Sequence, residues 1–240
     1  SVDIATTQLL PENARMYASQ IELAIDHHPS FEHFGQQNIV RPEAGACGEL
    51  VYDILRHLTA IDAGIALPLY VAIATDTGGF QFSNTTAYTH IVAAALMETG
   101  IDYRTVNKVF FRTKSRKRLA LEADMLTNLE YFDRERVAFL YVPRSLMTRI
   151  QATESDAEEL SSLGAQIQGV DCAVTFRELG EGEWKLSVRT GERVNATEVC
   201  RLMGGGGHAR AAGCTVKAEL SEVKRRCLAA IAANAADFEG

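Results

Sequence analysis

The run Ile21-Glu22-Leu23-Ala24-Ile25, closed at once by Asp26-His27-His28, decides how the first half of this chain is read. Its largely apolar residues predict a short buried strand. The strand end delivers one carboxylate and two imidazoles to a sheet edge, and in open α/β sheets ligands bind beyond the carboxyl ends of the strands. Adjacent side chains on an extended segment point in opposite directions. His27 and His28 are therefore expected to do different jobs, one on a metal and one on substrate or proton transfer.

Working outward, Ser1-Val2-Asp3-Ile4-Ala5 reads as the end of a strand running into a loop. Glu43–Leu58 places Cys47, Leu50, Val51, Ile54, Leu55 and Leu58 at the spacing of one helix face. Ala63–Ala74 is nearly all apolar and predicts a buried helix that delivers the loop Thr75-Asp76-Thr77-Gly78-Gly79. A further helix over Thr85–Thr99 is stopped by Gly100 as a C-terminal cap. Strand and helix signals in alternation predict an α/β fold with a parallel sheet.

The character changes further on. Asp102–Phe132 reads as mostly helical and as a connector. Strands are expected over Arg136–Val142, Val170–Leu179 and Glu183–Thr190, the last two joined by the turn Gly180-Glu181-Gly182. Glu154–Leu163 predicts a helix, and Asn195 with Glu198 three residues on predicts a capping box. A strand over Cys214–Lys217 and a helix over Ser221–Ala233 close the chain. The expected domains are 1–110, a connector over 111–134, and a smaller mixed-sheet domain over 135–240.

Composition narrows the partners. Of 240 residues, 47% are hydrophobic and 23% charged, and the net charge of −7 argues against a surface for long duplex nucleic acid. A short anionic substrate needs only a local basic pocket. The dense basic run Arg112–Arg118 reads more readily as a solvated helix face than as a nucleic-acid track. The five cysteines, none close to another in sequence, suggest neither a disulfide framework nor a zinc ribbon. With no signal-peptide pattern and no apolar stretch of about 20 residues, a cytoplasmic protein without a membrane span is expected.

Asp3, Asp26, His27, His28 and Asp76 all fall at strand or helix ends. Oxygen ligands with imidazole suit manganese, with magnesium or cobalt as alternatives. A carboxylate can bridge two such ions, which together clamp the attacking and leaving oxygens of a displacement at phosphorus. Gly204-Gly205-Gly206-Gly207 can turn successive amides into an anion nest, with His208 and Arg210 following and Arg189 on the preceding strand. The constellation points to metal-dependent phosphoester chemistry.

Four segments carry a family resemblance: Ile25-Asp26-His27-His28-Pro29, Ala74-Thr75-Asp76-Thr77-Gly78-Gly79-Phe80, Val188-Arg189-Thr190, and Gly204 to Gly213. In order and content they resemble the DHH phosphoesterase family with its DHH-associated C-terminal domain, in its NrnA type (nanoRNase and pAp phosphatase). The resemblance implies a manganese-dependent phosphodiesterase for short oligonucleotides or pAp, with a cleft between two domains. It implies Asp3 as bridging ligand, His27 and Asp76 as ligands, and Asp26 as the group that orients the histidines. It further implies His28 as contact or acid at the scissile phosphate, and Arg189, Gly205, Gly206, Gly207 and His208 as the substrate grip. The family's first motif, a histidine and spaced aspartates, would precede Asp3. On that comparison this chain is expected to be a piece that binds metal weakly and hydrolyses poorly. Alternatives are a phosphodiesterase for cyclic-di-AMP or its linear dinucleotide, and a catalytically silent nucleotide-binding module. A RecJ-like processive nuclease fits poorly with an acidic, short chain. The apolar helices leave a homodimer open.

Overall fold

In a computed structural model, which describes residues 1–235 apart from the side chains of Glu158 and Glu159, the chain divides into two units, Ser1–Thr113 and Lys114–Gly240. Residues 236–240, assigned above to the second domain, lie outside the described residues.

In the first unit Leu23–Asp26 forms β1, buried at every residue but the first. It pairs in parallel with β2, Gln37–Val40, in the register Leu23↔Gln37 to Asp26↔Val40. On the other side of β1, Val2 makes a parallel bridge to Ile25. The Asp3 amide donates to the Ile25 carbonyl at 2.9 Å and the Ile25 amide to that of Ser1 at 3.0 Å. The strand end expected at Ser1–Ala5 is therefore present as a single bridge. β1 starts two residues later than the apolar run and takes in Asp26, because Ile21 and Glu22 are spent accepting from Gln36 and Gln37 as β2 approaches.

A single turn, α1 (Glu12–Arg15), precedes β1, and three long helices follow the strands. α2 spans Cys47–Leu58, with Cys47 and Leu50 buried and Leu58, expected on the apolar face, left 74% exposed at the last turn. α3 spans Ala63–Asp76, opened by the Asp62 carboxylate, which accepts from the Ile65 amide at 3.0 Å. α4 spans Ala87–Glu98, where Thr86 and Thr89 cap each other reciprocally. Gly100 ends it at φ 85°, its amide donating to the Met97 carbonyl, the left-handed cap that favours glycine. Tyr70, Ile73, Val92 and Leu96 fill the core between α3 and α4. α5 (Tyr103–Asn107) runs into one π-helical turn, Lys108–Arg112.

The second unit opens with α6, Arg116–Thr127, and β3, Glu130–Phe132. Both fall in the stretch expected as a connector. α6 belongs here because its Leu121 and Met125 are buried against Leu140 and Val142. The rest runs β4 (Val137–Val142), α7 (Arg144–Arg149), α8 (Glu154–Ala157, continued as a 3-10 helix to Ser162), β5 (Cys172–Gly180), β6 (Glu183–Thr190), α9 (Ala196–Leu202), β7 (Gly206–His208), β8 (Ala211–Lys217) and α10 (Leu220–Ala232). The six strands lie in the order β3-β4-β5-β6-β8-β7, with β4 and β5 parallel and the other pairs antiparallel. Alternation sends Val174, Phe176, Leu186 and Val188 into one core with α9 and α10. Asn195 caps α9 as expected, but Glu198 bonds Arg201 instead of returning to the cap. Among the described residues no helix is long and apolar enough to cross a membrane.

Candidate functional site

The end of β1 splits its two histidines as period-two geometry requires. His27 is buried and His28 is 42% exposed at its side chain. The His27 Nδ1 lies 3.1 Å from the Ala44 carbonyl, which can only accept, so Nδ1 carries a hydrogen and Nε2 is the nitrogen turned to the carboxylates. That Nε2 sits 3.1 Å from Asp76 Oδ2 and 3.5 Å from Asp3 Oδ1. Apart from each other and Asp3, the buried atoms His27 Nε2 and Asp76 Oδ2 have no polar partner. Asp26, fully buried, accepts at Oδ1 from both the His28 amide (2.6 Å) and His28 Nδ1 (2.8 Å). It therefore orients His28 alone, while a backbone carbonyl orients His27.

Buried polar atoms short of partners are costly, and here two face each other with a second carboxylate alongside. Single ligand atoms from Asp3, His27 and His28 lie within 4.8 Å of one another. These residues, with Asp76, could hold a hard divalent cation. The local field agrees. The Asp76 carboxylate, opposed by burial and helped by Ala44 and Asp3, raises the His27 pKa to about 9. Burial raises the Asp3 carboxyl above its ordinary value, with His27 pulling the other way. Asp3 itself sits at φ 59°, a left-handed conformation that Asp tolerates better than most residues.

Two further groups shape this site. Asp76 ends α3, so its carboxylate adds to the negative pole of the helix. The Asn84 amide donates to the Asp76 carbonyl (3.2 Å) and the Gly45 carbonyl (2.7 Å), tying the Asp76 turn to the segment that anchors His27. A cavity of about 280 Å³ is lined by Asp3, Asp76, Thr75, Ala72 and the first turn of α2, Ala46 to Gly48. Cys47 in that turn is no nucleophile: burial first, then Asp3, pushes its thiol up to about 12. Neither Asn84 nor the Ala44 carbonyl carried a sequence signal. One is an isolated amide in a loop and the other is backbone.

In the second unit the sheet register does the assembly. Arg189 on β6 and His208 on β7 both pair with Ala211 on β8, from opposite sides. Directly paired residues share a face, so Arg189 and His208 flank a small alanine on one face. The guanidinium of Arg189 donates to the Val188 carbonyl (3.1 Å) and Ser161 Oγ (3.0 Å), and burial holds its pKa below the usual arginine range. The glycine run is an exposed edge strand over Gly206–His208, preceded by Gly205, whose amide bonds the Cys200 carbonyl. The Gly204 amide likewise bonds the Arg201 carbonyl, so the first half of the run closes α9 and the second half, Gly206–His208, pairs with the open edge of β8.

Residues 135–237 match the model of the DHHA1 domain. The chain is 31% identical over 211 residues to a Thermus thermophilus protein described as a bifunctional oligoribonuclease and PAP phosphatase NrnA, covering 86% of this chain and 62% of that one. A Bacillus subtilis protein of the same description is 25% identical, with 82% and 60% covered. The chain thus spans about three-fifths of the length of these curated relatives. Among solved structures, an exopolyphosphatase-related protein from Bacteroides fragilis superposes with a TM-score of 0.86 at 22% identity, covering 96% of this chain and 69% of that one, which is a likeness of fold. With the DHHA1 match over residues 135–237, the NrnA relatives and the Asp26-His27-His28 strand end in one sequence, the chain is similar to NrnA-type proteins of the DHH family.

Proposed function

We propose that this chain carries the metal-binding and substrate-gripping parts of a metal-dependent phosphodiesterase acting on short oligonucleotides, with pAp as a second substrate. One observation carries the reading: His27 Nε2 and Asp76 Oδ2, buried 3.1 Å apart, face each other and Asp3 Oδ1 and nothing else polar. The descriptions of the NrnA relatives support the substrate class. Asp3, His27 and Asp76 would hold a divalent cation, manganese by preference for mixed imidazole and carboxylate donors. Such an ion, when bound, makes a coordinated water more acidic and offsets charge at phosphorus.

The chain's own residues supply the rest. Asp3 Oδ1 lies 3.5 Å from His27 and 3.8 Å from His28, so it is the carboxylate placed to be shared. Asp26 fixes His28 through Nδ1, leaving Nε2 as the atom that can give a proton to the departing oxygen. In the second unit Arg189 and His208 offer a cation and an imidazole to a nucleotide.

The test is hydrolysis of a dinucleotide, pAp and a cyclic dinucleotide with manganese, alongside calorimetric manganese titration. His27→Ala and Asp76→Asn are expected to lose manganese binding and turnover together while circular dichroism stays unchanged. Turnover that survives both substitutions would refute the site. A protein that binds nucleotide but neither manganese nor the hydrolysable bond is the silent module instead.

A further inference from the structure

The sheet face that carries Arg189 and His208 continues along the strands as a row of polar side chains. Thr175 pairs with Ser187 and Arg177 with Lys185 across β5 and β6. Their neighbours Val174, Phe176, Leu186 and Val188 all point into the opposite core, so these four share the Arg189 face. Ser161, from the 3-10 turn after α8, approaches from above, held there by the Arg189 guanidinium at 3.0 Å. Together they line a cavity of about 150 Å³ with Val142, Ala157 and Glu154.

Thr175 is 95% buried, and its hydroxyl has no hydrogen-bond partner. A buried hydroxyl without a partner is costly, and this one belongs to a residue that lines a polar cavity. Around that hydroxyl stand two more, Ser161 and Ser187, and two cations. Arg177 is paired with Glu154, which cancels one charge and leaves guanidinium N–H groups unspent. Among the described residues Lys185, exposed, makes no ion pair. The lining thus offers three hydroxyls, one compensated guanidinium and one uncompensated ammonium.

We propose that this cavity is an oxyanion site for a phosphoryl group, separate from the metal-binding residues of the first unit. Phosphate accepts hydrogen bonds at every oxygen, which suits three hydroxyls, a fork of N–H donors and an ammonium. Thr175, Ser187 and Ser161 supply the hydroxyl donors, Lys185 the net charge, and Arg177 is shared with Glu154. Glu154 is then a competitor for the ligand, so its removal strengthens binding.

The test is titration of the protein with inorganic phosphate and, separately, with a 5′-mononucleotide, followed by the backbone amide resonances of Thr175, Arg177, Lys185 and Ser187. Saturable shifts at these amides are expected, weakened at least tenfold in Lys185→Gln and in Thr175→Val, and tightened several-fold in Glu154→Gln. Thermal melting of each variant separates binding from folding. A merely structural Thr175 predicts that Thr175→Val leaves phosphate shifts intact. Shifts confined to Arg189 and His208, or shifts unchanged in Lys185→Gln, would overturn the proposal. A response to the mononucleotide and none to free phosphate supports it and assigns a phosphoester as the ligand. Manganese titration run in parallel is expected to be unchanged in all three variants, which keeps this site's outcome distinct from that of the metal site.

Discussion

Alanine substitutions along the glycine run separate what packing requires from what a ligand requires. A Cβ on Gly205 would lie 2.2 Å from the Gly213 oxygen, 2.4 Å from Cys214 Cβ and 2.7 Å from Cys214 Cα. Carbon contacts settle at about 3.5–4.0 Å, so the clash demands a shift of roughly 1 Å. The atoms in the way belong to β8, which is held by its ladder to β6 and cannot move cheaply. Gly205→Ala is therefore expected at or above the top of the ~1–3 kcal/mol range for overpacking. Gly207→Ala meets Ala212 Cα at 2.6 Å and adds a left-handed φ of 146°, so it should be at least as costly. A Cβ on Gly206 meets nothing within 4 Å, and its backbone needs no left-handed φ; its alanine variant should stay within about 0.5 kcal/mol of the parent. Trp184, the only tryptophan and 8% exposed, sits in the same sheet, so urea unfolding followed by its fluorescence reads the right unit. If Gly206 lies against substrate, Gly206→Ala weakens pAp binding at unchanged stability. A Gly205→Ala protein as stable as the parent, or a Gly206→Ala protein destabilised by more than about 2 kcal/mol, would refute the packing argument.

Three further outcomes follow. Without metal, the His27 pKa is raised to about 9, so its protonated form is the one the fold favours. That contribution is complete below the ordinary value of about 6.5 and is lost as pH rises through about 9. The shift caps it at about 3 kcal/mol. Asp3 and Asp76, 49% and 38% exposed, are screened by solvent, which brings it to about 1–2 kcal/mol. Urea titrations in chelator at pH 6 and 9.5 should show this loss, and His27→Gln should abolish it; a flat parent profile would count against it. Manganese must displace the same proton, so its affinity should rise about tenfold per pH unit across neutrality. Asp26→Asn should lower turnover about 10–100-fold by loosening His28 while sparing metal affinity, since Ala44 orients His27; metal loss equal to that of His27→Ala would contradict it. Thr89→Val strips the 2.6 Å donor from the Glu49 carboxylate, which is 1% exposed, and should cost about 1–3 kcal/mol in urea unfolding.

Elements with their own pattern were legible from the sequence. α3 and α4 follow from apolar runs, the second stopped by Gly100, and the β5–β6 hairpin follows from two apolar segments around Gly180-Glu181-Gly182. Elements that exist because a neighbour offers an edge or a surface were not. β2 is Gln37-Asn38-Ile39-Val40, too polar and short to signal itself, and it is a strand because β1 stands beside it. β7 is Gly-Gly-His, and only the free edge of β8 makes it a strand. α7 buries one side chain, Leu146, in six residues. α6 was legible as a helix, but its place in the second unit depends on Leu121 and Met125 meeting β4, which no local spacing reveals.

For the site the division runs along the same line. A strand end fixes directions, so the different fates of His27 and His28 could be read from alternation alone. Which group holds each ring could not, because the holders are a backbone carbonyl seventeen residues away and a carboxylate only two away. Asp26 looked able to serve both histidines. Its position on the last residue of a parallel strand instead turns its Oδ1 onto the amide and ring of His28, two residues on, while the His27 ring goes to the Ala44 carbonyl. The same alternation places Arg189 and His208 in register, and it also lines up Thr175, Ser187, Arg177 and Lys185 behind them. If the sheet grips a ligand at Arg189 and His208 as proposed, the rungs beyond that pair lie on the same face. The polar residues there are thus as much a product of the strand period as the pair that the glycine run announces.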